Sequence, residues 1–428
     1  MKAGESILSS SSSEPAASGS RVIVIGAGIV GTCCALELRK KGFDVTLVDP
    51  VPPGESCSFG NAGVLASWAC VPESLPGTLT KVPRWLFDPE GPLSIRTAYL
   101  PRLAPWLLRF LRAGQAARIP AIADALIAIN GPTVALYKEL AKEAGAPELV
   151  RECDHLQVSR DPDFFDLDEI GWRLRRDRGA TLTLLTGDEI REIEPEIAPA
   201  YKSGVMVASQ GYTTNPERLV KALAEYFQRL GGKLRQTEVR GLRTGPSEVW
   251  LETDSGEMRT ASLVIAAGAW SARLAAQIGV KIPLETERGY HVTFAEPGIA
   301  PKVTVTEAAR MFIATPMEPG LRAAGTVEFA GIEAAPDWRR AQVLGRMVKE
   351  LFPRLDTARP SEWMGRRPSL PDTLPVIGPA PTASNVFFAF GHGHTGLTAA
   401  PMTARIVAGM VANAPVNLDV QPYRATRF

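Results

Sequence analysis

Two constellations in this chain have residue types and spacings that could do chemistry. The first is Gly26-Ala27-Gly28-Ile29-Val30-Gly31, which directly follows the β-branched run Val22-Ile23-Val24-Ile25. Gly26 permits a tight turn, Gly28 lets a pyrophosphate approach the backbone, and Gly31 lets a following helix pack closely on the strand. The amides of that helix's first residues, Ile29 and Val30, then face the phosphates. A second apolar strand, Val45 to Val48, ends in Asp49, which can accept hydrogen bonds from a ribose diol. An acid there disfavours a 2′-phosphate but does not choose between NAD and FAD. The second constellation is Gly365-Arg366-Arg367-Pro368. A planar guanidinium holds a carboxylate through two parallel hydrogen bonds, which lysine cannot reproduce. Arg366 is the adjacent competitor for that role, and an ion pair between Arg367 and an acid such as Asp372 is the structural alternative.

Other polar residues are candidates to line a pocket. Tyr290 and His291 follow the Arg288-Gly289 turn, and His392 and His394 sit in the glycine-rich stretch Gly391-His392-Gly393-His394-Thr395-Gly396-Leu397. A lone histidine at a strand start is more often a satisfied structural residue than an acid or base. The chain has four histidines and five cysteines, with neither a CxxC pair nor an acid cluster beside the histidines. No metal site is expected, nor a disulfide framework, and a reducing, cytoplasmic location is the default.

These residues need elements to position them, and the chain has room for two or three domains in its 428 residues. With 45% hydrophobic and 22% charged residues it reads as an ordinary globular enzyme. A formal charge of +1 offers no long-range field to hold a polyanion, so nucleic acid is not an expected partner. Residues 1–20, with serine at every position from Ser9 to Ser13, read as a flexible tail. Between Pro83 and Arg112, Trp85, Leu86, Phe87, Trp106, Leu107, Leu108, Phe110 and Leu111 alternate with arginines. Such a segment suits a helix packed on its own domain, or one lying in a membrane interface. Two further small-residue turns, Ser58-Phe59-Gly60-Asn61-Ala62-Gly63 and Ile265-Ala266-Ala267-Gly268-Ala269-Trp270-Ser271, could each approach a cofactor closely.

Taken in order, GAGIVG (Gly26 to Gly31), SFGNAG (Ser58 to Gly63), IAAGAWS (Ile265 to Ser271), GRRPSLPDTLPVIG (Gly365 to Gly378) and FGHGHTGLT (Phe390 to Thr398) resemble the D-amino-acid oxidase superfamily of FAD flavoproteins. The match is nearest to the D-amino-acid dehydrogenase small-subunit group, which WLFDPEGPLSIR (Trp85 to Arg96) and PMEPGLRAAGTVEFAG (Pro316 to Gly331) also resemble. It spans nearly the whole chain from residue 21.

The resemblance implies an α/β chain, α+β overall, with a Rossmann-like FAD-binding domain interleaved with a mixed β-sheet substrate domain. Residues 20–70, 212–275 and 355–428 would form the first domain, and 71–211 with 276–354 the second. Gly26, Gly28, Ile29, Val30 and Gly31 would hold the pyrophosphate, and Asp49 the ribose. Asn61, Ala62 and Gly63 would lie beside the isoalloxazine ring, with Gly268 on another cofactor turn. Gly391, His392, Gly393, Gly396, Leu397 and Thr398 would bring a helix N-terminus to the flavin pyrimidine edge, where reduction places negative charge. Arg367 would grip the substrate carboxylate, with Tyr290 and His291 nearby. Relatives that attach FAD covalently carry a histidine in the early loop. Here the loop has Phe59 and Gly60, so non-covalent FAD is expected.

The reaction implied is FAD-dependent oxidative deamination of a D-amino acid to a 2-oxo acid and ammonia. Electrons would pass to a quinone or an electron-transfer chain, with peripheral contact at the inner face of the cell membrane through residues 83–112. A cyclic or secondary amine substrate (cis-4-hydroxy-D-proline, D-proline, or one like sarcosine) would share the same motifs. An NAD-dependent dehydrogenase and a non-catalytic subunit of a larger complex are the readings from other classes.

Overall fold

The β-branched run at Val22 forms the strand Arg21–Ile25, buried everywhere after its first residue. It lies inside a parallel sheet covered on both faces, which is why its apolar residues are continuous and do not alternate with polar ones. Asp44–Asp49 pairs on one side and Ser262–Ile265 on the other, both parallel to it. The six strands run in the order Val376–Ala380, Ala383–Phe390, Ser262–Ile265, Arg21–Ile25, Asp44–Asp49, Lys233–Gln236. Only the edge strand Val376–Ala380 is antiparallel to its neighbour. Connections leave Arg21–Ile25 in opposite directions, and the crevice at such a switch point is where open α/β sheets bind ligands. The computed structural model describes residues 19–428. Most of the expected N-terminal tail, up to residue 18, therefore lies outside the described residues.

Helices Ile29–Lys40, Pro216–Arg229 and Gly396–Val411 cover one face of this sheet and share a core with Val24, Val45 and Leu47. The helix Pro216–Arg229 starts where Asn215-Pro216 suggests, with the Asn215 side chain accepting a hydrogen bond from the Arg218 amide. The other face packs on a three-stranded antiparallel sheet, Val239–Thr244, Val249–Thr253 and Gly256–Thr260.

A second, ten-stranded mixed sheet carries the remaining strands. Its main path is Pro360–Ser369, Glu285–Phe294, Gly320–Phe329, Phe312–Met317, Thr304–Glu307, Val150–Ser159, Ser203–Thr213 and Val64–Leu65. Helix Arg339–Leu351 closes one face, packing Ala341, Leu344, Met347 and Val348 with Tyr290, Val292 and Phe294. The opposite face fronts the first sheet.

Two segments depart from the expected division. Pro360–Ser369, expected with the cofactor unit, pairs along its whole length with Glu285–Phe294 at the edge of the ten-stranded sheet. Helices Ile119–Asn130 and Thr133–Ala144, expected with the substrate unit, bury Leu126, Ile129, Tyr137 and Leu140 in the core of the six-stranded sheet. Tyr137 donates its hydroxyl to the Leu397 carbonyl at 2.7 Å, fixing that packing. Their apolar faces have no local marker of which sheet they cover.

Within 83–112, the helix Leu100–Ala113 buries Leu103 and Trp106. Trp106 stacks on Phe110 at 5.2 Å and packs on Phe329 at 5.5 Å, so these aromatics belong to the protein's own core. Leu100 and Leu108 are left exposed beside Arg102, Arg109 and Arg112.

Candidate active site

The turn after Arg21–Ile25 has the geometry of a phosphate cradle. Gly26 sits at φ +107°, and a Cβ there would lie 2.3 Å from the Ala266 carbonyl oxygen. A Cβ on Gly31 would lie 1.8 Å from the Gly26 carbonyl oxygen, so helix Ile29–Lys40 can approach only through glycine. The outward face of Gly28 meets nothing nearer than the Ser58 hydroxyl at 3.5 Å. Asp49 ends the neighbouring strand, accepting from the Ala27 amide at 2.7 Å and the Val51 amide at 3.0 Å. Burial raises its pKa, an effect only partly offset by those two donors.

From this cradle a continuous cavity of about 2370 Å³ runs between the two sheets. Pockets for drug-sized ligands span roughly 300–1,000 Å³, so this one has room for a dinucleotide and a second, smaller molecule. Gly26, Gly28, Ile29, Val30 and Asp49 line one end, and Asn61, Ala62, Gly268, His392, Gly393, Gly396, Leu397 and Thr398 line its middle. Gly31, Gly63 and Gly391 support the wall from behind. A Cβ on Gly63 would come within 2.7 Å of Met317, and one on Gly391 within 2.3 Å of Leu370.

Helix Gly396–Val411 begins at the cavity wall with no side-chain cap and no acid in its first turn, so its N-terminal amides and dipole can serve a ligand. The His392 side chain turns away to Thr403 Oγ1 at 3.0 Å, and burial pushes its pKa down to about 3. Its contribution at the wall is backbone.

The loop Phe59–Gly63 is stapled to the ten-stranded sheet. Arg322 Nη1 donates to the carbonyls of Phe59 and Asn61, both at 2.8 Å. His291 Nδ1 bonds the Gly60 carbonyl at 3.0 Å while its ring stacks on Trp363 at 5.1 Å. Burial, helped by the nearby Arg322 charge, pushes His291 down to about 3. His291 thus positions the loop and is absent from the cavity wall, contrary to its expected place near the substrate. Arg322 carried no expected role, because its function depends on a contact with a loop far away in sequence.

Tyr290 does border the cavity. Successive strand residues face opposite sides, so Tyr290 and His291 cannot both point the same way. Tyr290 touches the cavity wall, but its hydroxyl is committed elsewhere. It donates to Glu328 Oε2 at 2.6 Å and accepts from the Asp337 amide at 2.8 Å. Arg288, on the same face, is fully buried within 3.3 Å of Glu328.

Arg367 lines the cavity, directly across from Glu287 on the adjacent strand. Its guanidinium passes over Gly289, where a Cβ would lie 2.1 Å from Nη2. Nη1 donates to the Thr326 carbonyl at 3.0 Å, and Nη2 makes a long contact of 3.5 Å with the Gly325 carbonyl. Those carbonyls are presented by a bulge, where Thr326 takes the strained φ of +58°. The acid suggested as a structural partner, Asp372, pairs instead with Arg427 at 2.7 Å. Arg366 turns the other way, donating to the Ile332 carbonyl at 2.7 Å.

Two acids unassigned by the sequence complete this part of the cavity. The Glu287 carboxyl faces that of Glu73, and Glu73 Oε1 is 2.6 Å from His394 Nδ1. Burial first, then Glu73, hold the Glu287 carboxyl well above the usual range against the pull of Arg367. Burial would raise Glu73 too, but the hydrogen bond and charge of His394, then Arg367, keep it below the usual range. Alternation along Glu285–Phe294 could have put Glu287 on the same face as His291. No local signal joins it to Glu73.

Cys57 lines the cavity with its thiol held between the Arg366 carbonyl at 3.0 Å and the Arg366 amide at 3.2 Å. Burial raises its pKa, so it is a thiol and a poor nucleophile.

A dinucleotide cradle on a parallel sheet, continuous with a polar chamber under a second mixed sheet, defines a nucleotide-cofactor enzyme whose second sheet closes over the reacting end. The sequence pattern of the FAD dependent oxidoreductases (DAO) matches residues 21–410, and the chain belongs to that family. It is 40% identical over 418 residues to a D-amino-acid oxidase of Bradyrhizobium diazoefficiens, covering 96% of this chain and 99% of the relative. A D-amino acid dehydrogenase of the same species is 29% identical over 416 residues, covering 95% and 99%. The glycine oxidase structure from Geobacillus kaustophilus superposes with a TM-score of 0.71 at 23% identity, covering 96% and 99% of the two chains, and shares the fold. The cofactor of the family is FAD, and the glycine-lined cradle, the Asp49 carboxylate and the uncapped helix start fit it.

Proposed function

We propose that this protein oxidatively deaminates a D-amino acid to a 2-oxo acid and ammonia. The observation that carries the reading is Arg367, held by bulge carbonyls inside the FAD cavity with the Glu287 and Glu73 carboxyls beside it. Arg367 directs its hydrogen bonds to two backbone carbonyls and Glu73 is bonded to His394, so a substrate carboxylate can still pair with the guanidinium. The named activities of the 40% and 29% identical relatives support a D-amino acid as that substrate.

In this reading Gly26, Gly28, Ile29 and Val30 receive the pyrophosphate, Asp49 the ribose, and Gly393, Gly396 and Leu397 the pyrimidine edge of the flavin. FAD is held without a covalent bond, since the loop facing it offers Phe59 and Gly60. Bound FAD supplies the acceptor for the hydride that leaves the substrate α-carbon. The chain's own work is orientation: Arg367 fixes the carboxylate, the Arg322 and His291 staple fixes the loop, and the two sheets exclude water. Stopped-flow reduction of the bound flavin by D-amino acids under anaerobic conditions tests this reading. A protein reduced only by secondary amines, or by no amino acid, would overturn it.

For the electron acceptor we propose a quinone or a carrier of an electron-transfer chain, reached at the inner face of the cell membrane. The support is the exposed Leu86, Leu100 and Leu108 beside Arg84, Arg102, Arg109 and Arg112. The 40% identical relative is named an oxidase, which favours dioxygen as a second reading. Flotation with anionic vesicles and a Leu108→Asp control test the first, and oxygen uptake tests the second.

A further inference from the structure

The amino acid that enters the cavity is a zwitterion, and its ammonium must lose a proton before the nitrogen lone pair can assist departure of the α-hydride. Within the polar chamber, one connected set of groups leads from Arg367 toward solvent. Glu287 stands across from Arg367 in the strand pairing, and both border the cavity. Glu73, on the loop before helix Thr78–Phe87, faces Glu287 and bonds to His394. The His394 side chain, also on the cavity wall, is 51% exposed, so the line ends at an accessible surface. The other groups facing the pair are the Ser369 hydroxyl beside Glu287 and the Cys57 thiol near Arg367.

We propose that Glu287, Glu73 and His394 form the relay that takes the proton from the substrate ammonium and delivers it to solvent. The assignment rests on the amino-acid reading above. The N–H bond of the ammonium breaks with its electron pair left on nitrogen, and the proton goes to Glu287. Glu287 passes the proton it already holds to Glu73. Glu73 hands one to Nδ1 of a neutral His394 ring, the ring releases its Nε2 proton to water, and exchange with water returns the remaining proton from Nδ1 to Nε2 before the next turnover. No electron changes hands, and the pair returns to its singly protonated state.

The test is the pH dependence of cofactor reduction by a saturating D-amino acid in anaerobic stopped flow. In the wild type the rate should rise with pH at a midpoint below that of the free substrate ammonium. Glu287→Gln should fall about 10²-fold near neutral pH and recover in alkali, its midpoint moved up to that of the substrate itself. Glu287→Asp should keep the wild-type midpoint. His394→Asn, a change at the exposed end that leaves the core intact, should slow the appearance of the proton on a pH-indicator dye relative to cofactor reduction. An unmoved midpoint in Glu287→Gln, or an equal loss at every pH, would overturn the relay. If the wild type is reduced by no amino acid, the functional reading fails instead, and the two failures are distinct.

Discussion

At the scale of single residues, the site depends on how Arg367 is aimed. Its guanidinium lies over Gly289 because no side chain is there. Arg367→Lys should therefore keep FAD bound and raise the substrate KM about 10²-fold, since a point charge cannot make two parallel hydrogen bonds. Steady-state kinetics beside the visible flavin spectrum checks this, and an unchanged KM would remove the arginine from the substrate. Gly289→Ala should produce a smaller KM increase of about tenfold by displacing the same group. Arg367 could be read from its neighbours in sequence, because Gly365-Arg366-Arg367-Pro368 is contiguous. Its acids could not: Glu73 meets Glu287 only through the fold. Of the two neighbours Tyr290 and His291, strand alternation keeps Tyr290 at the cavity wall with its hydroxyl committed to Glu328, and turns the ring of His291 onto the Gly60 loop.

At the scale of elements, the strand-turn-helix unit is the part written most fully into the sequence. Strand, glycines, helix and Asp49 follow one another, and each glycine has a local steric reason. Gly31→Ala would drive a Cβ into the Gly26 carbonyl, at a cost of about 3 kcal/mol in stability and with loss of FAD, measured by denaturant unfolding and flavin retention. The ten-stranded sheet was less legible. Its neighbours lie far apart in sequence, and the edge strand Pro360–Ser369 could be placed only by its pairing with Glu285–Phe294. The loop staple is similar, built from Arg322 and His291 on two different strands. Arg322→Met would leave the half-buried Phe59 and Asn61 carbonyls without that donor. FAD affinity should fall by one to two orders of magnitude, roughly the cost of one or two unmet hydrogen bonds, as read by equilibrium dialysis.

For the whole molecule, two sheets enclose one cavity, and buried neutral histidines link that enclosure to pH. His155, bonded to the Gly211 carbonyl at 3.0 Å, is pushed by burial down to about 4 from an ordinary value of 6.5. Between those values the unfolded chain takes up a proton that the native state refuses, so stability rises with pH across the window and is lost on acidification. His155→Gln should flatten that dependence by about 1.4 kcal/mol per pH unit near pH 5, whatever it does to stability at pH 7. Urea unfolding at a series of pH values provides the comparison. The same enclosure underlies the central claim, that a D-amino acid held by Arg367 surrenders its hydride within the FAD chamber. The most direct measurement is anaerobic mixing of the purified flavoprotein with matched D- and L-amino acids while the flavin absorption is followed. Bleaching by D-amino acids, with one 2-oxo acid and one ammonia formed per flavin, is the predicted result. Bleaching by L-amino acids or secondary amines alone, or none at all, would contradict it.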